Sequence, residues 1–276
     1  MLFRSCTGAN REHFQQLCPN EQSKIYRIYH GVNKDRFTPS RENSQEMPLI
    51  LSVGRHVKKK GFPFFIQACG LLRDRGHRFH SVILGESDEE TTQIRKGIQA
   101  LNLEKVISLE PGVNQDALRK IYHRATIFAL ACHIVDSGDR DGIPNVLAEA
   151  MAAEIPVVST SISGIPELIT HRQNGMLVPQ KDPEAMADAL EELLMNPTLR
   201  TTLAKAGRET ILRIFDSRST IEDLARLFQC ACSQNVETTP LASTDNTSPT
   251  RPTVCIPKGK KQSPQLSGSN KLTVRS

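Results

Sequence analysis

The chain has 276 residues, 38% of them hydrophobic, and a formal net charge of +5. This length allows one or two domains with a buried core. Residues 233–276 carry six basic and two acidic residues, so +4 of the charge lies there and the remainder is nearly neutral. No basic face for nucleic acid is expected. The seven cysteines lack paired metal spacing, and no apolar run is long enough for a membrane span.

The first 47 residues are too few for a domain of their own. They contain a helix-like piece at 10–17 and a strand-like piece at 24–29. From about residue 48 to 180, short apolar runs alternate with amphipathic stretches. Continuous apolar runs are typical of parallel strands covered on both faces. The predicted strands are 49–53, 80–84, 105–109, 127–130, 155–158 and 176–178.

Helical periodicity fills the intervals between these strands. One helix is predicted after Asn114 and another over 183–195, with Asp182 as its N-cap. Residues 198–232 also have a helical pattern. The alternation predicts an α/β fold with a doubly wound parallel sheet, which binds ligands at the carboxyl ends of its strands. The last 44 residues, rich in Ser, Thr, Pro, Asn and Lys, are expected to be disordered.

The stretch SVGRHVKKKGF (52–62) ends the first long strand. Gly54 lets the backbone approach a ligand, and Arg55 and Lys60 can both reach one diphosphate. The alternative is a solvated basic turn, which is the interpretation for Lys58 and Lys59. Neither a G-x-G-x-x-G fingerprint nor a P-loop is present, which argues against an NAD-dependent oxidoreductase.

The stretch DGIPNVLAEAM (141–151) places two carboxylates, Asp141 and Glu149, around the start of a predicted helix near Pro144. The free N–H groups at such a start suit a phosphate, and the acids suit sugar or ribose hydroxyls. The alternative is that Asp141 merely caps a core helix. A second helix start, at Gly164 in STSISGIPELI (159–169), is predicted to face the same cleft. Together these motifs favour a ligand site.

The motifs resemble, in family order, the C-terminal donor-binding domain of the retaining glycosyltransferase family 4, whose members have two Rossmann-like domains (GT-B architecture). The resemblance runs from LILSVGRHVKKKG through RDGIPNVLAEAM and SGIPELI to NGMLVPQKDPEAMADAL. The form RDGIPNVLAEAM resembles members that build bacterial exopolysaccharides. The family resemblance implies four parts: 1–47, a remnant of the N-terminal domain with its linker; 48–214, the nucleotide-sugar-binding domain; 215–232, a crossover helix; and 233–276, a disordered basic tail.

The resemblance also implies roles for the site residues. Asp141 and Glu149 occupy the family's E-x7-E positions, with Asp141 near the donor sugar and Glu149 on the nucleotide ribose. Arg55 and Lys60 match the Arg and Lys that stabilise the leaving diphosphate. The implied catalytic residues are thus Arg55, Lys60 and Asp141. The implied donor-binding positions are Gly54, Gly142, Ile143, Pro144, Asn145 and Glu149. No metal or other cofactor is expected.

Three features depart from the family pattern. Asp141 replaces the first Glu, and Glu154 stands where relatives have Gly, so a left-handed backbone there would cost on the order of 1 kcal/mol. The resemblance also implies that most of the family's N-terminal domain, which supplies the acceptor site, is missing from this chain. The apolar face of the helix around Ile221–Phe228 is therefore expected to be partly uncovered.

The sequence leads to one main hypothesis: a truncated glycosyltransferase that transfers a hexose from a nucleoside-diphosphate sugar to a glycan or lipid-linked acceptor, with little activity alone. It is expected to be cytoplasmic or peripheral to a membrane. The alternative is a non-catalytic nucleotide-sugar-binding remnant, or half of a split enzyme completed by another polypeptide.

Overall fold

A computed structural model describes residues 3–39 and 47–232, with side chains to residue 229. The predicted disordered tail lies outside the described residues. The strands are β1 Phe3–Ser5, β2 Ile25–Arg27, β3 Leu49–Val53, β4 His80–Gly85, β5 Ile107–Pro111, β6 Ile127–Leu130, β7 Val157–Thr160 and β8 Met176–Val178. The helices are α1 Gly8–Leu17, α2 Phe62–Asp74, α3 Thr91–Ala100, α4 Gln115–Tyr122, α5 Asn145–Ala152, α6 Ile165–Leu168, α7 Pro183–Met195, α8 Pro197–Ile214 and α9 Ser217–Cys232.

Six parallel strands form the main sheet, in the order β5-β4-β3-β6-β7-β8. The chain builds outward from β3 to β5 on one side, then returns to place β6 on the other side of β3. Leu51 of β3 pairs with Val82 of β4 and Phe128 of β6. The predicted doubly wound parallel sheet is confirmed, and all six predicted strands are present. Those predicted at 105–109 and 155–158 lie two residues further along.

Helices cover both faces of this sheet because successive strand residues point to opposite sides. Leu51 packs with α4, α5 and α8, whereas its neighbour Ile50 packs with α2, α3 and α7. All five residues of β3 are buried. This burial on both faces explains why the strands are continuous apolar runs rather than alternating ones.

The predicted long helical stretch after residue 198 is two helices. α8 ends at Ile214, and α9 begins at Ser217 after a break in which Asp216 pairs with Lys34 at 2.7 Å. On α9, Ile221 and Phe228 are 64% and 62% exposed, so the predicted uncovered apolar face is confirmed. Within the described ranges, no helix combines the length and apolarity required to cross a bilayer.

The N-terminal segment forms a small unit of its own: β1 and β2 pair in parallel, with α1 between them in sequence. The polypeptide then crosses to the break before α9. There the Tyr29 ring packs on Phe215, with ring centroids 4.5 Å apart. Gly31 approaches so closely that a Cβ would lie 2.2 Å from the Cα of Ser217. This segment therefore docks on the main domain through specific contacts.

Candidate active site at the carboxyl edge of the sheet

The turns that follow β3 and β6 meet at the carboxyl edge of the sheet. Here the strand order reverses, which is where open α/β sheets bind ligands. Lys60 Nζ lies 2.7 Å from Asp141 Oδ2, and the two side chains are only 14% and 16% exposed. A Cβ at Gly54 would lie 3.3 Å from the methylene carbons of Lys60, so glycine leaves room for that side chain. The structure therefore brings Gly54, Lys60 and Asp141 together at this edge.

A second glycine fixes the β3 turn against the end of β6. Gly61 has φ +67°, and a Cβ there would lie 1.8 Å from the carbonyl oxygen of Ala131. Only glycine satisfies both the left-handed backbone and this contact. The 3₁₀ turn Lys58–Lys60 is thereby placed beside the β6–α5 loop.

Lys59 also belongs to the charge cluster, so its interpretation as a solvated residue is wrong. Its Nζ lies 3.1 Å from Asp139 and 3.9 Å from Asp141, and its side chain is 21% exposed. Lys58, by contrast, is exposed as predicted. Behind Asp141, the Cys132 Sγ lies 3.6 Å from Oδ2. Burial, with the nearby Asp141 carboxylate, raises the pKa of Cys132, so it remains a thiol and is no nucleophile.

Arg55 does not join this cluster. Its Nε lies 3.6 Å from Asp88 Oδ2 in an exposed pair beyond the end of β4. The Arg55 side chain is 58% exposed. The structure therefore brings together two of the three predicted catalytic side chains, Lys60 and Asp141, and pairs Arg55 with Asp88 instead.

Helix α5 begins where the sequence predicts, with Pro144 as its N-cap in an extended conformation. No side chain caps this end, and its first turn holds no acid. The carboxylate of Asp141 is bonded to Lys60, which rules out the alternative that it merely caps the helix. The free N–H groups of α5, preceded by Gly142 and Ile143, form an anion-friendly turn next to the Lys60 ammonium.

Glu149 lies in the second turn of α5, below this start. Its Oε2 accepts a hydrogen bond from the Tyr122 hydroxyl at 3.1 Å. Burial raises the pKa of Glu149, while the bond from Tyr122 and the charge of Arg36 oppose that rise. Tyr122 lies in α4, the helix predicted after Asn114, and the sequence analysis gave it no role in the site. A buried tyrosine needs a partner for its hydroxyl, which is the signal that could have found this pair.

The second predicted helix start, α6 with Gly164 as N-cap, is confirmed and adjoins the first. A Cβ at Gly164 would lie 3.0 Å from Ile143 Cγ1. It would also lie 2.6 Å from Cγ2 of Thr7. Thr7, which caps α1, was not identified from the sequence, and it covers the α6 start. The two turns therefore share a cleft. Neither helix start has a side-chain cap, but Thr7 covers the start of α6.

A cavity of about 300 Å³ lies at the opposite, amino edge of the sheet. Its wall includes Tyr122, Glu154 and Arg200, and it borders Pro39 and Pro48. None of the predicted site residues lines it. Within the described parts of the chain, no three His, Cys, Asp or Glu side chains are placed to share a metal ion.

Comparison with known proteins identifies the family. The family model for glycosyl transferases group 1 matches residues 33–210. The chain belongs to this family. It is 33% identical over 213 residues to the amylovoran biosynthesis glycosyltransferase AmsK of Erwinia amylovora, covering 77% of this chain and 52% of that protein. It is 36% identical over 215 residues to the putative colanic acid biosynthesis glycosyltransferase WcaL of Salmonella typhimurium, with the same coverage.

The fold has solved counterparts. The crystal structure of the Anabaena protein HepE with UDP and glucose superposes with a TM-score of 0.73 at 16% identity, covering 83% of this chain and 62% of that one. The fold is thus the Rossmann-like α/β fold of GT-B glycosyltransferases. The chain spans about half the length of the curated relatives it matches.

Proposed function

We propose that this chain is the donor-binding half of a retaining glycosyltransferase. It binds a nucleoside-diphosphate sugar without a metal ion. The enzyme transfers a hexose to a glycan or lipid-linked acceptor in polysaccharide biosynthesis, in the cytoplasm or at a membrane surface. The observation that carries this proposal is the Lys60 ammonium beside the uncapped start of α5. The similarity to relatives named for polysaccharide synthesis, and to a fold crystallised with UDP and glucose, supports it.

The chemistry assigns a task to each side of the cleft. In transfer, the bond between the anomeric carbon and the diphosphate oxygen breaks, and its electron pair leaves with the diphosphate. Lys60 and the N–H groups at the α5 start stabilise that developing charge. An acceptor hydroxyl attacks from the same face and gives its proton to the departing phosphate oxygen. Asp141 then faces the sugar, and the Glu149 carboxylate accepts a hydrogen bond from a ribose hydroxyl.

The test is a calorimetric titration with UDP, GDP and ADP. Lys60→Ala removes one charge-assisted contact, so the binding free energy should fall by about 1.5–3 kcal/mol. Lys58→Ala is the matched control, because Lys58 belongs to the same turn but is exposed. It should bind as the wild type does. Equal binding by all three proteins, insensitive to salt, would remove Lys60 from the site.

Transfer itself requires a second domain. Alignment of the acceptor against the anomeric carbon supplies about 7–11 kcal/mol of the barrier, and a facing wall provides that alignment. Exposed apolar side chains on α1 and α9 give such a domain a place to pack: Phe14, Leu17, Ile221 and Phe228 are 45%, 64%, 64% and 62% exposed. In the opposing hypothesis, a non-catalytic nucleotide-sugar-binding remnant, nothing completes the cleft.

A transfer assay separates these hypotheses. We expect the chain alone to transfer little or no sugar, and a supplied N-terminal domain from a full-length relative to restore transfer. Nucleotide binding without rescue by any supplied domain favours the non-catalytic remnant. Robust transfer by the chain alone would contradict the need for a second domain.

A further inference from the structure

Glu167, in the first turn of α6, holds the N-terminal segment on the main domain through hydrogen bonds and an ion pair. The backbone N–H of Gly8 donates to both of its carboxylate oxygens at 2.8 Å, and that of Ala9 to one at 3.3 Å. The Tyr29 hydroxyl donates at 2.9 Å, and Arg27 Nη1 lies at 3.4 Å. The carboxylate thus sits at the positive end of α1, with charge-assisted bonds to groups about 140–160 positions away in the chain.

The hydrogen bonds of Glu167 to the start of α1 place Thr7 against the candidate site. Thr7 is 1% exposed, and its hydroxyl caps α1 by accepting from the Asn10 N–H at 3.1 Å. Its methyl group lies over two glycines of the donor cleft. A Cβ would lie 2.6 Å from that methyl at Gly164 and 3.2 Å from it at Gly142. Glycine at both positions therefore leaves the space that Thr7 fills.

The adjoining backbone is strained. Ser163 has φ +50°, an uncommon conformation for a residue with a side chain, and its buried hydroxyl lacks a partner among the described residues. Such strain persists only where the surroundings impose it. Here the surroundings are the three segments that meet: residues 5–9, the 141–145 turn and the start of α6.

We propose that Glu167 is a positioning residue for the donor site. By holding the α1 start, it keeps Thr7 on Gly142 and Gly164 and so fixes the shape of the turn that receives the diphosphate sugar. This inference rests on the proposed function for its link to the donor. Glu167 itself touches no donor-binding residue through its hydrogen bonds, and acts through Thr7.

Hydrogen–deuterium exchange of the full chain, without ligand, tests the coupling. Glu167→Ala should speed exchange at the amides of 8–9, whose acceptor is gone, and also at 141–146, which Glu167 does not contact. Glu192→Ala is the control, because Glu192, which lies on α7, forms an exposed ion pair with Arg172. This variant should leave the exchange rates of both segments, 8–9 and 141–146, unchanged. Faster exchange at 8–9 with wild-type exchange at 141–146 would overturn the proposal.

A second variant keeps the test decisive if Glu167→Ala unfolds. Thr7→Ser retains the capping hydroxyl and removes only the methyl group on the glycines. It should leave 8–9 protected, speed exchange at 141–146, and weaken binding of UDP, or of whichever of the three diphosphates binds, about three- to tenfold. Unchanged exchange at 141–146 in Thr7→Ser overturns the proposal. If the wild type binds none of the diphosphates, the proposed function fails, while the exchange data still decide the coupling.

Discussion

The two ends of α5 differ in how their backbone groups are satisfied. At the C-terminal end, the N–H groups of Ala153, Glu154 and Ile155 bond back to helix carbonyls, and Arg208 donates to the carbonyl of Ala152. At the N-terminal end, no side chain caps the helix. The closed end stabilises the fold even where it requires a left-handed residue. At the open end the Leu147 N–H bonds to the Pro144 carbonyl, and the N–H groups of Asn145 and Val146 remain for an anion.

At the open end, we expect a gain of diphosphate affinity when one carboxylate is removed. In the unliganded structure Asp141 holds Lys60 at 2.7 Å, so a diphosphate must compete with this carboxylate. Asp141→Asn removes the competition and should tighten UDP binding by roughly 1 kcal/mol, although transfer should fall. Titration calorimetry measures the change. Asp139→Asn, which removes only the exposed partner of Lys59, should have a smaller effect, and weaker binding by Asp141→Asn would contradict the competition.

At the closed end, we expect a smaller effect on stability alone. Glu154 has φ +59°, so the backbone at this position has the left-handed conformation that the sequence analysis considered. Glu154→Gly should raise the free energy of unfolding by about 0.5–1 kcal/mol, because glycine adopts this conformation without strain. Urea unfolding measures it. Glu154→Ala keeps the strain and should show no comparable gain, and diphosphate affinity should stay the same in both variants.

The smallest expected effect concerns Glu149, between the two ends. Its raised pKa means that the folded protein holds the proton more tightly than the unfolded chain does. The contribution to stability is therefore fully present below the unfolded pKa, about 4.3, and is lost as pH rises through the higher folded pKa. Glu149→Gln keeps an acceptor for Tyr122 and should flatten this dependence. A loss of stability in that variant at neutral pH, relative to the wild type, would show that the charged form is favoured.

The sequence predicts those features that depend on local pattern. Continuous apolar runs predict the strands, and the meeting of strand ends at one edge brings Lys60 to Asp141. The helix start at Pro144 follows from its residue types. Features that depend on side-chain direction were not predicted. The pairing of Arg55 with Asp88 and the burial of Lys59 are two examples, since a Lys-rich turn has the same composition whether its side chains are solvated or paired.

Contacts between residues far apart in the chain were the other features that the sequence did not predict. No spacing rule relates Glu167 to Gly8, because the two positions are joined only by the fold. The predicted helix start at Gly164 contains Glu167 in its first turn, whereas Thr7 was not identified from the sequence. The Glu167 carboxylate accepts hydrogen bonds from the start of α1, which belongs to a distant segment. This contact is visible only once the N-terminal unit is placed against α6.

The order of strands in the main sheet has a consequence for synthesis. β3, β4 and β5 leave the ribosome in succession and pair as neighbours, whereas β6, the other partner of β3, is made later. Until then one edge of β3 has no strand beside it, although every residue of this apolar strand is buried in the finished fold. Open edges of this kind attract strands from other chains. The nascent protein is therefore expected to be prone to aggregation between the completion of β5 and the arrival of β6.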